Sequence, residues 1–250
     1  MGISLTCKFV ESDESIADYV YGFTSLKHLS SIDEGVIIPN GRIDLHFAET
    51  SSGQFQIFLV GLESKPKPLL KQDISTLFTI SFNPLATEYI LHQPIADLLD
   101  GGKEMPDDYW DFSSSDLQNF DEFCEKATRR ILSLLPEKTD ERKRKLFALI
   151  FAAGGEMSVR ELSEKVFWSE RQINRYFNRQ FGIPLKAYCQ ILRFQASLSH
   201  IKEGVLYPQL DFADQSHFIK EIKKLSGVSP KELYKNKNDR FSQFLVMDTD

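Results

Sequence analysis

Cysteine is scarce in this chain of 250 residues: there are three, and Cys7, Cys124 and Cys189 stand far apart. An odd number with no Cys-x-x-Cys pair argues against a disulfide framework and against a thiolate metal site, and it suits a reducing compartment. Long apolar runs are missing too. No stretch approaches the roughly 18 to 20 residues that cross a bilayer, and the opening MGISLTCKFVESDESIADYV lacks the basic start and apolar stretch of a secretory signal. These absences predict a cytoplasmic protein with no membrane contact. Histidine is sparse as well, five in all with no His-x-His pair. There is no repeat of 20 to 50 residues and no low-complexity tract. What remains is ordinary globular composition, 42% apolar and 26% charged, long enough for one large domain or two small ones.

Charge is present but unevenly placed. Residues 1–139 hold 11 Lys and Arg against 22 Asp and Glu, a net −11, whereas residues 140–250 hold 19 against 14, a net +5. An acidic half joined to a basic half predicts two domains, 1–139 and 140–250, the second suited to a polyanion. Charge drifts along many chains, so the helix pattern has to decide.

The first 82 residues read as strands: ISLTCKFV, VIIP, IDLHFA, QFQIFLVGL and TLFTISF, separated by GR, SSG and SKPKP. IDLHF and QFQIF alternate as half-buried strands do. After Phe82 the texture becomes helical. Asn83-Pro84 reads as a cap and first-turn proline of a short helix through Leu91, and Pro94 opens a second short segment. Ser113 to Ser115 then cap a longer amphipathic helix, with Leu117, Phe120, Phe123, Cys124, Ala127, Ile131 and Leu134 on its apolar side. The fold class expected is α+β: a β-rich N-terminal sensor or dimerisation domain with flanking helices, then an all-α C-terminal domain.

In that second half RKRKLFALIFAAGG reads as a helix stopped by glycine. Ser158-x-x-Glu161 and Ser169-x-x-Gln172 are capping boxes only eleven residues apart. Two capped helices this close cannot form a long antiparallel hairpin and must cross, which is helix-turn-helix geometry. On the second of them Ile173, Tyr176 and Phe177 fall on one side, and Arg171, Asn174, Arg175 and Asn178 on the other. Arg can bond guanine bidentately and Asn adenine, while Arg179 and the helix N-terminus suit phosphate. A polar helix face usually just meets water, but such faces mix Glu with Lys, and this one carries two Arg, two Asn and no acid. Farther on, Asp214 caps a helix from Gln215 to Ser226 with Phe218, Ile219, Ile222 and Leu225 on its apolar face and Ser216, His217, Lys220, Lys223 and Lys224 opposite. His217 has no second ligand at a metal-binding spacing, so a structural hydrogen bond is expected of it.

GIPLKAYCQILRFQAS followed by DFADQSHFIKEIKKLSGVSPKELY resembles the DNA-binding domain of AraC-type bacterial transcription regulators, over roughly residues 142 to 240. The resemblance implies two helix-turn-helix units joined by a long helix, here about Leu185 to Ile201. It implies base-reading positions at Arg171, Asn174 and Arg175 in the first unit and at Gln215, Ser216 and Lys220 in the second. Asn178, Arg179, Lys223 and Lys224 are then expected on phosphates. The partners implied are double-stranded promoter DNA, a small-molecule effector, RNA polymerase if the protein activates, and a second copy of the chain; no cofactor is expected. The chain departs from the family at Phe167, where glycine is usual, at Ser163, where alanine is usual, and at Asp211, again a common glycine. Between Gly204 and Phe212 it is about five residues short, too few for a full first helix in the second unit. The N-terminal pieces IIPNGRIDLHFA and TISFNPLATEYIL resemble, more weakly, the sensor domains fused to such regulators.

Three other readings compete. His46 and Glu49, with His28 and His92, raise an enzymatic or metal-binding barrel, but an odd separation puts His46 and Glu49 on opposite faces of one strand. An alkyl-acceptor repair protein needs a reactive cysteine beside a base, and all three cysteines lie in apolar sequence. An adaptor that kept the fold and lost DNA reading is the third, and the irregular second unit keeps it open.

Overall fold

The computed structural model describes residues 5–31, 34–71, 73–210 and 212–235. Strands come first: β1 (Thr6–Glu11), β2 (Val20–Lys27), β3 (Glu34–Ile37), β4 (Ile43–Thr50), β5 (Phe55–Val60), β6 (Lys67–Leu70) and β7 (Ile74–Phe82). The short α1 (Ala86–Tyr89), β8 (Gly102–Met105) and α2 (Phe120–Leu134) complete the N-terminal β-sheet domain. The C-terminal domain is helical: α3 (Glu141–Ala152), α4 (Val159–Val166), α5 (Glu170–Phe181), α6 (Leu185–Lys202), α7 (Gln215–Ser226) and α8 (Pro230–Tyr234).

Period-two alternation in β4 and β7 fixes what the sheet does. Six strands pair in the order β1-β2-β7-β4-β5-β8, all antiparallel, and β3 and β6 form a separate ribbon. Ile43, Leu45 and Phe47 of β4 and Phe78, Ile80 and Phe82 of β7 are fully buried. The Phe47 and Phe78 rings meet Phe123 of α2 edge-on, at 5.1 and 5.2 Å between centroids, a favoured aromatic geometry. The residues between them turn to the opposite face, where Asp44 pairs across the strands with Ser81 and His46 with Thr79.

Local sequence rules account for most helix ends. Ser158 and Glu161 bond reciprocally, as do Ser169 and Gln172, and Ser229 and Glu232, so each pair satisfies otherwise orphaned amides. Gly182 and Gly227 end α5 and α7 in the left-handed conformation. Two expected caps work differently. Ser113 and its box partner Asp116 cap a single 3-10 turn, Ser114–Leu117, and α2 starts afresh from Asn119, whose side chain accepts from the amides of Asp121 and Glu122. The Asn83 carboxamide caps no helix; it accepts from Arg42 and donates to the Ala17 carbonyl at 2.8 Å. Ile219, expected on the apolar face of α7, is 38% exposed. Among the described residues no helix stands between α6 and α7, as the shortened segment predicts. The Asp211 departure lies outside the described residues.

One hydrophobic core runs through both domains. The loop before β4 docks on α6: the Tyr188 hydroxyl donates to the Gly41 carbonyl at 3.1 Å and the Gln195 amide to the Pro39 carbonyl. Gly41 sits at φ +72°, and a Cβ there would lie 3.2 Å from Leu192, so conformation and close approach both call for glycine. Arg42 lies over the rings of Tyr21 and of Phe151 in α3, at 4.2 and 5.3 Å, a cation–π bridge between domains.

Candidate nucleic-acid interface

On α5 the buried side chains are Ile173, Tyr176, Phe177 and Phe181, and Arg171, Arg175, Asn178 and Arg179 are exposed. The N-terminal domain grips this helix by its inner side. Glu88 accepts from the Tyr176 hydroxyl at 2.9 Å, from Lys143 at 2.6 Å and from Gln180 at 3.4 Å. The Ile95 amide adds a bond to the Gln180 carbonyl at 2.8 Å. Burial, with the Glu88 charge next to it, pushes the Tyr176 phenol well up, so it stays a donor. Held from behind, α5 presents Arg171, Arg175 and Arg179 to solvent.

Arginines on the neighbouring helices are committed: Arg142 to Asp140, Arg144 to Asp18 and Glu141, Arg160 to Glu164. Among the described residues Arg171, Arg175 and Arg179 enter no such pair, nor do the exposed Lys220, Lys223 and Lys224 of α7. Unpaired guanidinium groups one turn apart on one helix face keep their donors available for base edges or phosphates.

Not every expected site residue is so placed. Asn174 is half-buried; its amide nitrogen donates to the Glu170 carbonyl at 3.1 Å and its oxygen accepts from the Leu185 amide at 3.3 Å. That carboxamide ties α5 to the start of α6. Asn178 donates to the Asn174 carbonyl at 2.8 Å. In the second unit Ser216 is exposed, while Gln215 spends its amide on the Leu206 carbonyl at 2.9 Å. His217 receives the Ala213 amide at 3.3 Å, the structural bond expected of it.

Burial raises all three thiols, Cys124 to about 12 and Cys189 to about 11, the reverse of what a nucleophilic cysteine needs. Among the described residues no group of three or more His, Cys, Asp or Glu side chains is placed to hold a metal ion. His46 instead shares a 2.8 Å hydrogen bond with Thr79. No described helix is long and apolar enough to cross a membrane.

Residues 162–236 match a family model described as a helix-turn-helix domain. This region is a helix-turn-helix domain. No curated protein matches the chain. Among solved structures it is similar to ToxT from Vibrio cholerae. The 1.65 Å structure of the P21 form is 14% identical, with 93% of this chain and 97% of that one covered and a TM-score of 0.42. The unsaturated fatty acid-bound wild-type ToxT of strain SCE256 is 11% identical, with 92% and 94% covered and a TM-score of 0.42. ToxT of strain O395 bound to (E)-4-(8-methylnaphthalen-1-yl)but-3-enoic acid is 15% identical, with 93% and 98% covered and a TM-score of 0.40.

The polar face of the sheet, which sequence reading passed over, borders a cavity of about 800 Å³, within the size range of small-molecule sites. Strands β2, β4, β5 and β7 and the β3–β6 ribbon line it, and Leu192 and Gln195 of α6 stand in its wall. Glu63 is 5% exposed there. Burial, helped by the Asp44 charge and opposed by Lys67, pushes its carboxyl up to about 8. Burial holds the His46 imidazole below its usual value, against the pull of Asp44. The one sequence signal was the acid itself, a glutamate directly after the apolar run of QFQIFLVGL.

Proposed function

We propose that the protein is a sequence-specific transcription regulator that binds promoter DNA through its C-terminal helices and is controlled by a small molecule in the N-terminal cavity. The observation that carries the first part is the outward row Arg171, Arg175 and Arg179 on α5, exposed and without ion-pair partners among the described residues, on a helix anchored from behind. The N-terminal residues of a recognition helix reach base edges in the major groove, which gives base contacts to Arg171 and Arg175. Arg179, with Lys223 and Lys224 of α7, is left for phosphates. Asn174 positions α6, and the second unit, lacking its first helix among the described residues, supplies backbone contacts more than base reading.

The second part rests on the shared wall. Leu192 and Gln195 belong to the helix that joins the two DNA-facing units, and the same helix holds the Gly41 loop through Tyr188. A ligand that favours one placement of α6 changes the spacing of α5 and α7, and so DNA affinity, by its differential affinity for the two arrangements. The test is a mobility-shift titration of the full chain on genomic fragments, repeated with Arg171→Ala. Selective retention of a few fragments, lost or broadened in the variant, is the expected outcome; equal, sequence-blind binding by both proteins would refute the reading face.

A further inference from the structure

Glu63 sits in a segment whose backbone is fastened on both sides. The Gly61 amide donates to the Gly101 carbonyl at 3.1 Å and the Asp100 amide to the Leu62 carbonyl at 2.9 Å. Asp100 also takes the Ser64 amide and hydroxyl, at 2.8 and 2.7 Å. At Gly61 a Cβ would meet the Leu98 carbonyl oxygen at 2.4 Å. So held, the Glu63 carboxyl lines the cavity and makes no hydrogen bond to another described residue. Asp44 lines it too, with one oxygen taking the Ser81 hydroxyl at 2.7 Å and the other without a hydrogen bond among the described residues.

The cations of the wall are mostly committed elsewhere. Arg42 is bonded to Asn83 and packed between two rings, and Lys103 donates to Gln93 at 2.6 Å. The Lys67 charge favours the ionised Glu63, and the Asp44 and Asp100 charges oppose it. Among the described cations of the wall Lys67 alone makes no side-chain hydrogen bond or ring contact, and Asp44 and Glu63 keep bonding capacity to spare, since Asp100 is already occupied by Ser64. We propose that the cavity binds an organic ammonium ion, its N–H groups donating to Asp44 and Glu63 and its apolar body lying against Leu26, Phe58, Val60 and Leu77. An ammonium offers three donors and no acceptor, and a charge-assisted bond is strongest in a site shielded from water. A carboxylate of the same size would face the Asp44 charge instead.

Charge balance gives the ligand a signature. Arg42, Lys67 and Lys103 share the wall with Asp44 and Glu104 while Glu63 keeps its proton; a cation bound against Glu63 favours its ionised form, and that proton leaves to solvent. This inference rests on the effector-site reading above and names its ligand class.

The experiment is titration calorimetry on the full chain with 2-phenylethylamine, 2-phenylethanol and 3-phenylpropanoate, in buffers of different ionisation enthalpy. The amine is expected to bind at least tenfold tighter than the other two. It should release close to one proton at pH 7 and tighten about tenfold from pH 6 to pH 7, where the alkylammonium, with a pKa of about 10, stays charged. Glu63→Gln should abolish the proton release and weaken the amine about tenfold or more. Equal or tighter binding of the alcohol or the carboxylate, or amine binding without proton release in the parent, would overturn the ammonium assignment and leave the effector reading standing. Absence of binding by all three would overturn both, and the mobility shift, which needs no ligand, reports separately on DNA reading.

Discussion

Phe167 ends α4 at φ 53°, in the left-handed region, with 87% of its surface exposed. For a side chain with a Cβ that conformation costs roughly 1–2 kcal/mol, and little packing repays it. Phe167→Gly is therefore expected to stabilise the chain by about 0.5–1 kcal/mol, glycine giving back part of the gain through its own entropy. Denaturant melts decide it, and a destabilised variant would show that the ring contributes more than its exposure suggests. Glu63 gives the opposite kind of strain. The native state holds its proton up to about pH 8, whereas an unfolded glutamate loses it near pH 4.3. The folded state thus binds the extra proton between those limits, and stability falls as pH rises through them. Glu63→Gln should flatten that slope and exceed the parent at pH 8 by on the order of 3 kcal/mol, measured by denaturation at pH 5 and pH 8. Parallel pH profiles for the two proteins would contradict it. Asn83 looks like a helix cap because a carboxamide suits one, and only the fold brings Arg42 and the Ala17 carbonyl within its reach.

At the scale of elements, helix ends were legible and several strands were not. A capping box is a local event within four residues, so Ser158, Ser169 and Ser229 declare themselves. VYGFTSLK was missed as β2 because Gly22 breaks its pattern, yet a Cβ there would strike the Phe9 ring of β1 at 2.6 Å; the glycine is there for pairing, not for a turn. Gly102 opens β8, an edge strand of four residues that is hard to read because its partner, β5, lies some forty residues earlier. The cavity was illegible for the same reason: its wall takes alternate residues from separate strands. For α5 and α7 the expectation concerns DNA. Arg171→Ala or Arg175→Ala should each cost about 1–3 kcal/mol and relax preference at one base position. Replacing Lys223 and Lys224 together should weaken all sequences alike and reduce the slope of affinity against salt by about two. Binding isotherms across a randomised duplex pool separate these behaviours, and uniform weakening by both classes would mean that the reading face is misassigned.

Across the whole molecule the two halves carry opposite charge, −11 and +5, yet share one core and a common clamp on α5. Glu88 is the centre of that clamp, its carboxylate and the Lys143 ammonium each about one-fifth exposed. Glu88→Ala leaves Lys143, Tyr176 and Gln180 without their acceptor and should cost about 2–4 kcal/mol, with faster amide exchange along α5. An exchange pattern unchanged in α5 would show that the apolar contacts alone hold the helix. The charge asymmetry also predicts orientation: the acidic domain is repelled by the phosphates that attract the arginine row, so the duplex is expected to meet the C-terminal helices from the side away from the sheet. The most direct test is selection of bound duplexes from a random pool by the full chain, beside the Arg171→Ala, Arg175→Ala double variant, at two salt concentrations. A defined sequence motif is expected for the parent, one that loses information in the variant at the positions read by those two arginines. A chain that enriches no motif at either salt concentration, or a variant that recovers the parent's motif intact, would contradict it.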